Sequence, residues 1–226
     1  MISGGQVLLL LTGLVLGLRH AFDRDHITAV THFISLEPDP LKSAWFGFRW
    51  ALGHAVTVLF LGSLILLLHL KFDPSFERYA ELTVGVTLVA LAIWRMLLLW
   101  KERQHIHRHG HQAKEHTHRH THQPGREHVH RFAPTLVGMV HGASGTAEVF
   151  VLIPITLISV TWLAYLYIGL FSLGCAMTMS LYGYVVGRFY RRASEKGQRI
   201  YRILVILTSL SGFVLGLIWI LRNVKG

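Results

Sequence analysis

An apolar run from Val7 to Ile34 is interrupted by Arg19-His20-Ala21-Phe22-Asp23-Arg24-Asp25-His26-Ile27, which places six ionisable side chains within nine residues. If this run crosses a bilayer, each buried Asp or Arg costs roughly 2.5 to 3.5 kcal/mol, and the cluster together costs on the order of 10 kcal/mol. Such a cost is tolerated only where the groups pair with one another, face a hydrated cavity or hold an ion. The alternative is that the apolar helix stops near Phe22 and the charges lie in a loop.

Composition favours the membrane. With 52% hydrophobic residues, 15% charged residues and a mean hydropathy of +0.44, the chain is too apolar for a soluble domain of its length. A span needs about 20 apolar residues. Six are read, at about 6–34, 44–70, 79–100, 133–158, 161–187 and 201–222. The N-terminus has no basic region ahead of its apolar run and no cleavage pattern after it, so the first helix is expected to be retained.

The net charge of +10 is distributed asymmetrically. Lys42, the seven Lys and Arg from Lys101 to Arg131 and the six from Arg188 to Arg202 share one side of a six-span arrangement. The other side holds only Lys71, Arg78, Arg222 and Lys225. By the positive-inside rule the first side is cytoplasmic and both termini face outward. The basic excess is thus a topology signal, and with no recognition module present it does not imply nucleic acid. A single cysteine, Cys175, excludes an intrachain disulfide.

On one continuous α-helix His20, Asp23 and His26 would share a stripe, Asp25 would point elsewhere, and Arg19 could reach Asp23. Two imidazoles and a carboxylate on one stripe suit a borderline divalent metal such as nickel, cobalt or zinc. The second span opens with Trp45 and Trp50, expected as interfacial anchors, and carries His54 on an apolar face, where a histidine is either a packing residue or a ligand. Residues 101–131 form a low-complexity segment in which His105-Ile-His-Arg-His-Gly-His-Gln112 recurs as His116-Thr-His-Arg-His-Thr-His-Gln123. Its composition predicts disorder without ligand, and its ten histidines suit loose, exchangeable metal coordination.

An internal repeat ties these features together. Gly138-Met-Val-His141 repeats Gly17-Leu-Arg-His20, and Leu173-Gly-Cys175-Ala-Met-Thr178 repeats Leu52-Gly-His54-Ala-Val-Thr57, both at an offset of 121 residues. Three spans per half is an odd number, so the halves have opposite orientation, as in many secondary transporters whose site lies near the midplane. The chain therefore reads as all-α, with residues 1–100 and 132–226 as two three-helix repeats flanking the His-rich loop. His141 and the acidic Glu148 of the fourth span join the expected polar core.

These residues also carry a family resemblance. Arg19 to Ile27 resembles the signature of the nickel/cobalt transporter family, and Gly53-His54 its second motif. His141-Gly-Ala-Ser-Gly-Thr-Ala-Glu148 is similar to the third motif, with Ser144 where the family usually has Asp. The motif around Cys175 is poorly kept. Length and span count look more like the shorter urease-accessory-type branch. The resemblance implies a permease in which His20, Asp25 and His26 recognise the metal; the residue pattern adds Asp23, His54, His141 and Glu148. The expected function is movement of nickel or cobalt, with zinc suiting the same donors, across the cytoplasmic membrane. The cytosolic His loop would collect or sense metal, and no resident cofactor is implied. The alternatives are a metal-storage or metallochaperone-like accessory membrane protein, which could hand metal to a maturation partner, and a membrane metalloenzyme. The enzyme is disfavoured because the spans outside the first carry their histidines singly.

Overall fold

The computed structural model describes residues 3–69, 73–102, 132–144, 151, 153–156, 158 and 160–225. Among these the chain is all-helical: α1 (Gly4–His20), α2 (Arg24–Ile34), α3 (Pro40–Leu68), α4 (Pro74–Glu102), α5 (Ala133–His141), α6 (Ile153–Thr156), α7 (Thr161–Lys196) and α8 (Gln198–Lys225). Four helices (α3, α4, α7 and α8) are individually long and apolar enough to cross a membrane, and α1 with α2 makes a fifth if the bent pair counts as one span. The stretch read as a fourth span is described as α5 and α6, with 145–150 between them outside the described residues. The His-rich loop also lies outside them.

The expectation of one unbroken first helix is corrected. α1 and α2 meet at an angle of 57°. The backbone tightens at the end of α1, where Phe22 N–H donates to Arg19 O and Asp23 N–H to His20 O, short-range bonds that satisfy carbonyls a continuing helix would have used. Asp23 then stands at the N-cap of α2, but its side chain caps no backbone amide, because it is turned to His20. α5 ends in the same way: Ala143 N–H donates to Val140 O and Ser144 N–H to His141 O.

Glycines let the helices around these ends approach backbone to backbone. A Cβ on Gly17 would lie 2.0 Å from the Phe171 carbonyl oxygen, and one on Gly138 would lie 1.9 Å from that of Trp50. Likewise Gly53 would meet the Thr135 oxygen at 1.9 Å and Gly174 the Leu14 oxygen at 2.4 Å. In both pairs the second contact is the first with each partner displaced by 121 residues into the other half (Gly17 to Gly138 and Phe171 to Trp50; Gly53 to Gly174 and Thr135 to Leu14). Small residues at such crossings are what membrane helices use in place of a hydrophobic drive to associate. The result is that α1 packs on α7 and α5 on α3, with α3 against α7 in the centre and α4 paired with α8.

Two apolar clusters border the polar centre, one through Phe171 against His20 and one through Trp50 against His26. Val58, Leu61, Ile155, Tyr167, Ile168 and Phe171 form one, and Ala21, Val30, Trp50, Cys175, Met179 and Val205 belong to another. Gly17→Val and Gly138→Val should therefore each lower the melting temperature of the detergent-solubilised protein through overpacking worth about 1–3 kcal/mol or more. Gly169→Ala, at a position where a Cβ meets nothing within 4 Å, should leave it unchanged or raise it; a thermal melt read by size-exclusion chromatography checks all three.

Candidate metal centre

Four histidines from four helices converge where α1 breaks. His20 ends α1, His26 lies in the first turn of α2, His54 sits in the middle of α3 and His141 ends α5. His20, His54 and His141 are fully buried, and His26 keeps only 1% exposure. His20 Nε2 lies 2.9 Å from His26 Nε2 and 3.2 Å from His54 Nε2. The His141 ring centroid is 5.6 Å from that of His26. The Trp50 ring packs on His26 and His54, with centroids at 4.6 and 5.4 Å, and Phe171 lies 5.2 Å from His20.

Carboxylates set the tautomers. His20 Nδ1 is 2.9 Å from Asp23 Oδ2, and His26 Nδ1 is 3.0 Å from Asp25 Oδ2. A carboxylate accepts, so each imidazole places its N–H on Nδ1 and carries a lone pair on Nε2. His141 Nδ1 donates to the Val137 carbonyl at 2.8 Å, which leaves its Nε2 as a lone pair too, buried and without a hydrogen-bond partner. In consequence the lone pairs of His20 and His26 point at each other in the buried interior. Nothing favours that arrangement except a cation, or a proton, held between them.

The spacing matches a metal. Nitrogens bound to one ion at about 2.0–2.1 Å lie roughly 2.9 Å apart when cis in a square plane and roughly 3.4 Å apart in a tetrahedron. The observed 2.9 and 3.2 Å fall in that window. One ligand atom from each of His20, His26 and His54 can be chosen with all three within 4.8 Å of one another. The carboxylate behind each of two imidazoles is the outer-shell arrangement that raises ligand basicity and fixes ring orientation.

Several sequence expectations change here. Asp25, placed off the ligand stripe on a continuous helix, reaches the Nδ1 of its chain neighbour His26 within the first turn of α2, and it is buried. Asp23 stands behind His20 with 31% of its side chain exposed, so both acids sit on imidazoles. Trp50, expected as an interfacial anchor, is fully buried against the cluster. Trp45 is exposed, stacks on Phe48 and carries Arg49 over its ring. Cys175, at the position equivalent to His54, is buried in the apolar cluster with Ala21 and Trp50. Glu148 lies outside the described residues. Sequence reasoning also passed over Arg95 as a buried group; its signal was a lone charge inside an apolar stretch.

Comparison with known proteins places the chain. Residues 27–211 match the family described as the cytochrome c biogenesis protein transmembrane region. The chain is also 28% identical over 221 residues to the urease accessory protein UreH of Bacillus sp. (strain TB-90), covering 92% of this chain and 89% of the relative. The relative's description as a urease accessory protein agrees with the urease-accessory-type branch that the sequence motifs resemble. Neither description is of an enzyme. No solved structure matches the chain significantly.

If the two carboxylates act by orienting imidazoles, Asp25→Asn and Asp23→Asn should each weaken nickel or cobalt binding about ten- to a hundredfold without abolishing it. His20→Ala should remove high-affinity binding altogether. Titration calorimetry on protein lacking residues 105–130 measures both without interference from the loop.

Proposed function

The chain belongs to the family of the cytochrome c biogenesis protein transmembrane region, and on that premise we propose that it moves a divalent transition metal, nickel or cobalt, across the cytoplasmic membrane. The observation that carries this reading is the pair of opposed Nε2 lone pairs on His20 and His26, 2.9 Å apart and backed by Asp25 and Asp23. His54 supplies the third nitrogen. His141, with its partnerless Nε2 beside His26, is the next donor along a path into the second half. Glu148 belongs to the same half by sequence.

The two halves are proposed to be inverted repeats of three spans each. What supports this is the pairing of glycine contacts at the 121-residue offset and the matching helix endings after His20 and His141. The site then lies where two broken spans meet, and rocking of one half on the other exposes it to each face in turn. The distribution of Lys and Arg supports an orientation with both termini outside and the His-rich loop in the cytosol. There the ten histidines of the loop collect metal for the site or receive it from the site.

A metal must displace protons to bind these imidazoles. Capture should therefore be strong above the ordinary histidine pKa of about 6.5 and should fall as the pH drops below it; binding that stays constant from neutral to acidic pH would argue against histidine ligands. The relative's description as a urease accessory protein favours one second reading, in which the protein holds metal for a maturation partner without translocating it. Proteoliposomes separate the two, since a carrier equilibrates labelled nickel across the bilayer and a holder binds it stoichiometrically at one face. In cells, His20→Ala should abolish any change in nickel or cobalt accumulation, whereas deleting 105–130 should shift only its concentration dependence. Equal loss from both variants would refute the division between site and loop.

A further inference from the structure

A buried arginine lies on the side of the histidine cluster toward the basic end of the molecule. Arg95, in α4, is 1% exposed, and its guanidinium reaches the C-terminal end of α2. Nε donates to Ser35 Oγ at 2.9 Å, and Nη2 donates to the Ser35 carbonyl at 2.8 Å and to Tyr201 Oη at 3.1 Å. Tyr201, one turn into α8, donates in turn to the same carbonyl at 2.5 Å. The guanidinium thus ties together α2, α4 and α8.

Between this knot and the histidine cluster, the seam of α2 against α8 is polar. Within α2, His32 Nδ1 donates to the Thr28 carbonyl at 2.8 Å, which turns Nε2 toward α8, while the neighbouring Thr31 Oγ1 meets Tyr182 Oη of α7 at 2.7 Å. His32 Nε2 and Ser209 Oγ are buried without hydrogen-bond partners. The His32 ring lies against α8 at Gly212, where an added Cβ would come 2.4 Å from its Cε1. Ser209 is one turn away on the same face of α8. Partnerless polar atoms inside a membrane protein are costly, and water or an ion reaching them would offset that cost. A route along this seam from His26 to Ser35 would run roughly 13 Å along α2 at 1.5 Å per residue. Beyond it lie Arg199 and Arg202, on either side of Tyr201.

We propose that Arg95 is the gating residue of this route, its guanidinium closing the polar seam between α2 and α8 to divalent cations on the basic side of the histidine cluster. The proposal rests on the transport reading and extends it. A fixed positive charge in a narrow, poorly hydrated passage repels a doubly charged ion and also fills the space the ion would need. The gate and the site share an element, because α2 carries Asp25 and His26 at one end and Ser35, the anchor of the guanidinium, at the other. A tilt of α2 that rearranges the ligands must also disturb the Ser35–Arg95–Tyr201 knot.

Thiol accessibility tests this without needing transport. Cys175 is the sole native cysteine, so Ser209→Cys in a Cys175→Ala background carries one reporter thiol, in the seam. A membrane-impermeant methanethiosulfonate is applied from the side bearing Arg188 to Arg202, to the full chain in proteoliposomes. With Arg95 present, labelling should be slow; Arg95→Gln should raise its rate at least tenfold. Tyr201→Phe, which removes one strand of the knot and keeps the charge, should raise it less, and it serves as the test if Arg95→Gln does not fold. Nickel affinity should stay within about twofold in both variants, because neither residue touches the cluster. Unchanged labelling in a folded Arg95→Gln protein, or affinity lost in parallel with labelling gained, would overturn the gate. Wild-type protein that binds nickel but does not move it would defeat the transport reading, while the labelling comparison would still decide whether Arg95 closes the seam.

Discussion

The structure depends on two lone pairs held face to face. Asp23 and Asp25 each accept a hydrogen bond from the Nδ1–H of a neighbouring histidine, and this leaves His20 and His26 opposing their Nε2 atoms at 2.9 Å in the buried interior. Two acceptors at that distance repel unless something positive lies between them. Around that point the chain commits other features: the break after His20, glycines that bring backbones into contact, and an indole that walls the pocket. Together they fit the donor set proposed for a borderline cation.

The broken helix reconciles a charged cluster with an apolar environment. A continuous span through Arg19 to Ile27 would satisfy its own backbone groups but fan the charged side chains around the helix, some of them toward lipid. Ending α1 at His20 and restarting at Arg24 converts the problem into two helix termini, with the amide end of α2 and the carbonyl end of α1 meeting beside the imidazoles. α5 stops at His141 with the same hydrogen-bond pattern, so the second half brings its own helix end and its own histidine to the pocket. Helix association then relies on close backbone contact at Gly17, Gly53, Gly138 and Gly174.

Much of this was legible in the sequence. Hydropathy indicated an all-helical membrane protein, and the 121-residue offset singled out His20, His54, His141 and Cys175 before any geometry was known. Asp25 was misplaced because a helical wheel assigns faces and ignores that adjacent side chains can bond, as Asp25 and His26 do; the break itself was missed because no proline or glycine marks it. The signal available was Asp23 itself, a residue type that favours helix starts. Trp50 was misassigned because a tryptophan near a helix end suggests an interface, whereas its place in the core is set by contacts with α2 and α5 that the local pattern does not encode. Arg95 illustrates the same limit: its partners Ser35 and Tyr201 are 60 and 106 residues away in the chain, and only the fold brings them together.

The most direct test of the central claim is X-ray absorption on nickel-loaded protein lacking residues 105–130. The account predicts a first shell containing about three nitrogens near 2.0–2.1 Å, with the outer-shell scattering of imidazole rings, and loss of that signature on His20→Ala. A shell of oxygens alone, or an imidazole signature untouched by removing His20, would contradict it.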